Sequence, residues 1–212
     1  MHTDSSISAF RSALRLCAGL LLAAPLAAAH AGALNVNVTG SDGKPLLDAV
    51  ALLDPAIGKA PVKPMADVEI SQSKRMFNPR VTLITVGTRV TFPNFDTVRH
   101  HVYSFSPIKT FELKLYAGVP NAPLTFDKPG VAVLGCNIHD NMAAWVVVAD
   151  SPWFARSAAN GQARIEGVPA GNYRLRLWHA GLGLGAEPAA VAITIGAGDA
   201  EHNARLAVSA EP

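Results

Sequence analysis

The stretch GCNIHDNM, residues 135–142, places a thiol, an imidazole and a thioether within seven residues, as Cys136, His139 and Met142. It stands between two β-type runs, Val131–Leu134 and Trp145–Val148, and so reads as a loop joining two strands. Upstream, RHHVYSF (residues 99–105) carries His100 and His101. A thiolate with two imidazoles and a weak methionine suits copper, because soft sulfur favours Cu(I) while imidazole serves Cu(II) well. The loop supplies three of the four donors, so one has to come from another strand, and the histidine pair is the source. Asp140 leaves open a C-x-x-H-D zinc site, although structural zinc takes four firm N, S or O ligands.

The N-terminus sets the compartment in which such a site would form. Arg11 and Arg15 precede an apolar run from Leu16 to Ala28, and Ala29-His30-Ala31 supplies small residues where a signal peptidase cuts. The run is short of the roughly 20 apolar residues that span a bilayer. Residues 1–31 therefore read as a cleaved signal peptide, and the expectation is an exported, periplasmic protein without later membrane insertion. Cleavage leaves 181 residues, enough for one large β domain or two small ones, and removes Cys17. Cys136 is then the only thiol in a compartment that favours disulfides, which leaves it buried, paired with another molecule, or committed to a metal. Of 18 basic and 16 acidic residues, Arg11, Arg15 and Asp4 leave with the leader, giving a net charge of +1. Mixed charge of this kind gives no nucleic-acid stripe and no polybasic membrane patch.

From Gly32 onward the chain alternates short β-type runs with turn residues. Strands are expected at Leu34–Thr39, Ala49–Leu53, Val68–Ile70, Arg80–Val86, Arg89–Phe92, His101–Phe105, Phe111–Tyr116, Pro123–Phe126, Val131–Leu134 and Trp145–Val148. After Asp150, residues 151–159 are poor in strand formers, and strands resume at 161–168, Asn172–Trp178, Val191–Ile195 and Ala204–Val208. Many short strands at this spacing predict an all-β sandwich or Greek-key barrel.

The two flanks share a pattern of their own. LNVNVTGSDGKPLLDAVALL (34–53) and, much later, GQARIEGVPAGNYRLRLWHAG (161–181) resemble the two halves of a carboxypeptidase-regulatory-like domain, a small transthyretin-like β-sandwich. The turns Asp42-Gly43 and Pro169-Ala170-Gly171 are chemistry that many sandwiches share. The resemblance implies an accessory sandwich made of residues 32–56 and 151–212, with residues 57–150 inserted between them. A single enlarged sandwich with extra edge strands is the other organisation the sequence allows.

In TRVTFPNFDTVRHHV (88–102), Asn94 lies six residues before His100, and a valine-rich strand follows the C-x-x-H-x-x-M loop. In these features residues 62–150 resemble the cupredoxins, the type 1 copper proteins such as amicyanin and plastocyanin. The resemblance implies a Greek-key cupredoxin sandwich, a copper cofactor, and His100, Cys136 and His139 as trigonal ligands with Met142 axial. FPNFDTVRHHVYSFSPIKTFELKLY (92–116), FDKPGVAVLGCNIHDNM (126–142) and GNYRLRLWH (171–179) together resemble bacterial exported proteins labelled methylamine utilization protein. The chain departs from the plastocyanin pattern at two positions. His101 replaces the asparagine that ties the ligand loops together, so it either takes over that tie through a ring nitrogen or points to the opposite strand face. Gly135 precedes the cysteine, where it is expected to let another backbone approach closely and to leave the sulfur more accessible.

Met76 is a weaker axial candidate that fits core packing better. Asp96 is expected to stabilise the loop before His100, and His179 and His202 to be structural or solvated. No G-x-S-x-G, H-E-x-x-H, phosphate loop or CxxCH motif is present, and no enzyme is expected. The expected role is a single-electron carrier that meets redox proteins transiently, through an apolar surface formed by Ile138, Ala143, Ala144, Pro120 and Pro123 around His139. A copper-delivery protein and a metal-free scaffold are the alternatives.

Overall fold

The computed structural model describes residues 31–183, 186 and 189–209, so all of the expected signal peptide but Ala31 lies outside the described residues. Among the described residues the chain is all-β, with one 3-10 turn at Ala180–Leu182. In chain order the strands are β1 (Gly32–Thr39), β2 (Val50–Pro55), β3 (Val68–Glu69), β4 (Ser71–Ser73), β5 (Met76–Asn78), β6 (Val81–Thr85), β7 (Thr88–Thr91), β8 (His100–Ser106) and β9 (Lys109–Tyr116). They continue as β10 (Leu124–Phe126), β11 (Gly130–Cys136), β12 (Ala143–Ala149), β13 (Trp153–Arg156), β14 (Gln162–Val168), β15 (Gly171–Trp178), β16 (Ala189–Ile195) and β17 (Ala200–Arg205).

The middle of the chain forms a five-stranded sheet in the order β6-β12-β11-β8-β9 and a three-stranded sheet in the order β10-β7-β3. The hairpins β8–β9 and β11–β12 are joined by β11 returning beside β8, which is Greek-key wiring. β6 closes the edge parallel to β12. Alternation buries one side of each strand: in β11, Ala132, Leu134 and Cys136 face inward while Val131, Val133 and Gly135 face out. The inward residues join Ile70, Phe92, Val102, Phe126, Met142, Val146 and others in one core.

A second core is built from both ends of the chain. The sheets β14-β1-β17 and β13-β2-β15-β16 enclose Leu34, Val36, Leu53, Ile165, Leu175 and Ile195, among others. A third apolar layer joins the two: Val81, Val147 and Ala149 from the outer face of the five-stranded sheet meet Val50, Leu52 and Trp178. Arg156 Nη1 also donates to the Val81 carbonyl across this junction at 2.9 Å.

Two local expectations are corrected, and one hairpin was not expected. The last strand is Ala200–Arg205 instead of Ala204–Val208, because β17 is recruited by parallel backbone pairing with β1. Leu206 and Val208, which suggested the later span, pack into the core after the strand has ended. Trp153–Arg156, in the segment read as poor in strand formers, pairs with β2, and the sequence also gave no sign of the β4–β5 hairpin. Each depends on a distant partner or a tight turn more than on its own pattern.

Candidate metal centre

His100 opens β8, Cys136 ends β11, and these strands are antiparallel neighbours with Cys136 opposite Val102. Both side chains point inward, His100 fully buried and Cys136 only 6% exposed. The loop after β11 brings His139 back over the sulfur, and the Met142 N–H donates to the His139 carbonyl at 3.0 Å, which tightens the turn. Cys136 Sγ lies 3.6 Å from His100 Nδ1 and 3.9 Å from His139 Nδ1, and the three donor atoms all fall within 4.8 Å of one another. An ion about 2.0–2.3 Å from each donor, with angles between tetrahedral and trigonal, separates sulfur from nitrogen by roughly 3.5–3.8 Å. The donor set fits a metal ion.

Met142 is 2% exposed and belongs to the same buried cluster as Cys136. His101 is turned to the other face of β8, as strand alternation requires, and does not join the donors. Its Nε2 sits 2.8 Å from Glu112 Oε1, close in distance but without hydrogen-bond geometry. The tie expected from its side chain is made by its backbone, whose carbonyl accepts from the Asn137 N–H at 3.1 Å. Asp140 is exposed and outside the donor group. Met76, expected in the core, is 52% exposed on β5 and corrected on that count. His179 caps the 3-10 turn, accepting from the Gly181 N–H, with Nε2 3.1 Å from the Leu47 carbonyl.

Asp96 does more than stabilise its own loop. Its carboxylate takes the N–H groups of Lys74 at 2.6 Å and Arg75 at 2.9 Å, and lies 2.8 Å from His100 Nε2. With Nδ1 turned to the sulfur, Nε2 carries the ring proton and donates it to Asp96, a tautomer assigned from these contacts. Burial pushes the Asp96 pKa up, but the Arg75 N–H, His100 and the Lys74 N–H together hold it below the usual carboxylate value. Asn94 completes the frame: its Nδ2 donates to the Val98 and Tyr116 carbonyls and its Oδ1 accepts the Asp96 N–H. Burial raises the Tyr116 pKa to about 12, and its hydroxyl donates to the Phe92 carbonyl at 2.7 Å and receives Gln72 Nε2.

Ile138, in the loop, is 49% exposed, and Phe95 and Val98, in the segment before His100, and Val119 are also exposed apolar residues. Ala144, expected on this surface, is fully buried, because it faces the core on β12. Phe95, Val98 and Val119 were not read from the sequence, since an isolated apolar residue in a loop carries no periodic signal.

No protein-family profile matches the chain, and no curated protein matches it. Among solved structures it is similar to a Cu-containing nitrite reductase from Thermus scotoductus SA-01, at 27% identity over 45% of this chain and 25% of that one, with a TM-score of 0.37. The chain thus spans about a quarter of that reductase. It is also similar to a purple cupredoxin from Nitrosopumilus maritimus, at 24% identity over 40% of this chain and 99% of that one, with a TM-score of 0.35. A third is the amicyanin from Paracoccus versutus, at 20% identity over 41% of this chain and 91% of that one, with a TM-score of 0.33.

Proposed function

We propose that this chain is a periplasmic type 1 copper protein that carries single electrons between redox proteins and is not itself an enzyme. The observation that carries this reading is the cysteine sulfur and two imidazoles meeting within 4.8 Å, with Cys136 and His100 buried. His100, Cys136 and His139 form the trigonal set and Met142 is the axial ligand, the donor combination of electron-transfer copper sites. Copper held there supplies a one-electron Cu(II)/Cu(I) couple. The chain's own residues do the rest. Burial of Cys136 and His100 keeps water off the sulfur, and Asp96 fixes the His100 ring. The Asn137–His101 and Met142–His139 backbone bonds hold the loop in one shape, so little rearrangement accompanies electron passage. Half-buried His139 offers the route to the surface, where Phe95, Val98, Val119 and Ile138 supply apolar contact for brief docking.

In the same reading, residues 1–31 are the export signal, 57–150 the copper domain, and 32–56 with 151–212 an accessory, carboxypeptidase-regulatory-like sandwich. No helix among the described residues is long and apolar enough to cross a membrane. The likeness to exported methylamine utilization proteins agrees with this placement without assigning a substrate.

Purified protein given Cu(II) is expected to absorb intensely in the visible through thiolate-to-copper charge transfer and to lose that band in Cys136→Ser. A band that persists in the variant, or its absence from copper-loaded wild type, overturns the assignment.

A further inference from the structure

A cleft of about 1170 Å³ opens between the outer face of the five-stranded sheet and the outer face of β2 and β15. Its volume is at the scale of small-molecule sites, which run to roughly 1,000 Å³ and combine apolar walls with a few polar groups. Strand alternation decides what lines it. Tyr103 and Phe105 on β8 and Trp145 on β12 turn away from the copper-domain core, while Arg174, Arg176 and Trp178 share one face of β15. Trp145 and Trp178 meet at 6.4 Å, and Tyr103 and Phe105 stack at 5.0 Å with Phe105 75% exposed.

The charges in the cleft are unevenly matched. Arg176 is held by Asp54 at 2.6 and 3.2 Å and reaches Asp150 at 3.6 Å, and Lys59 also pairs with Asp150 at 3.4 Å. Arg174, two residues along the same face, is exposed and its guanidinium has no partner among the described residues. Asp140 and Asn137 also line the cleft.

We propose that this cleft binds a small planar aromatic monocarboxylate, with its ring on the aromatic walls and its carboxylate on Arg174. A guanidinium pairs with a carboxylate through two parallel N–H donors and also stacks on flat rings, a combination an aliphatic anion or a neutral ring uses only in part. Asp140 selects against a second negative charge. The proposed contacts need no metal, because they use outward side chains; Cys136 and Met142 also border the cleft, while His100 and His139 are not in its lining.

Calorimetric titration of the full mature chain with 2-naphthoate tests this. The expected result is saturable binding tighter than about 1 mM, with 2-naphthalenemethanol and acetate each at least about tenfold weaker. Arg174→Gln, at an exposed position, is expected to weaken 2-naphthoate at least about tenfold and to leave the alcohol unchanged. Phe105→Ala is expected to weaken both ring compounds. His139→Gln, in the donor group but outside the cleft lining, is expected to bind 2-naphthoate like wild type, which separates this result from the fate of the copper assignment. No saturable heat with 2-naphthoate, equal binding of acid and alcohol, or unchanged affinity in Arg174→Gln overturns the proposal.

Discussion

Asp96 illustrates how one side chain can serve backbone and site together. Its two oxygens satisfy the N–H groups of Lys74 and Arg75, whose φ angles of 55° and 58° aim both at the same carboxylate, and it still holds His100 Nε2. Asp96→Asn is expected to lower metal affinity about 10–100-fold, because a carboxylate behind a ligand histidine fixes the ring and raises its basicity. Competition with a chelator of known affinity measures this, and unchanged affinity refutes the role. Tyr116 gives a second prediction at the same scale. Its phenol stays neutral to about pH 12 in the folded chain, while in the unfolded chain it ionises near the ordinary value of 10.0. The unfolded state therefore releases its proton first, so the Tyr116 contribution to stability is constant below about pH 10 and falls as pH rises toward about 12. Tyr116→Phe is expected to flatten that alkaline decline in denaturant midpoints. Part of the slope remains, since burial also raises Tyr173.

At the level of elements, the pairing of β8 with β11 does two things at once. Inward, it sets His100 against Cys136; outward, it lays Tyr103 over Gly135, directly opposite in register. A Cβ at position 135 would lie 2.6 Å from Tyr103 Cζ and 2.7 Å from its hydroxyl oxygen. Gly135→Ala is therefore expected to lose about 1–3 kcal/mol to overpacking, partly offset by about 0.5–1 kcal/mol from a stiffer unfolded chain. With Tyr103→Ala in the same chain, the Gly135→Ala change is expected to turn neutral or stabilising, a coupling that a double-mutant cycle of unfolding free energies reads. Additive effects refute the contact. The sequence marked the glycine as a place for close backbone approach beside an accessible sulfur, but the neighbour is a side chain and Cys136 is buried. The tyrosine was not legible there, because register between strands more than thirty residues apart is fixed by folding.

For the whole molecule, the decisive feature is the apolar layer joining the five-stranded sheet to the sheet built from both chain ends. Trp178 sits in that layer, 3% exposed and 6.4 Å from Trp145. Trp178→Ala is expected to destabilise by about 3–5 kcal/mol, the usual cost of emptying an aromatic site. If the two cores melt as one unit, thermal unfolding followed by tryptophan emission and by the visible copper band shifts downward together. A copper band that melts at the wild-type temperature shows that the junction does not couple them.

The sequence by itself determined the all-β class, most strand positions and the identity of the thiol, imidazole and thioether carriers, because two-residue alternation and ligand spacing are local properties of the chain. From the residues alone it left His100 and His101 both open; the pleat of β8 sends them to opposite faces and brings His100 to Cys136 and His139. The sequence could not reveal the Asp96 support, the hairpin of β4 and β5, or the cleft beneath Arg174. Each of these arises where segments distant in the chain come together, and only tertiary packing sets those distances.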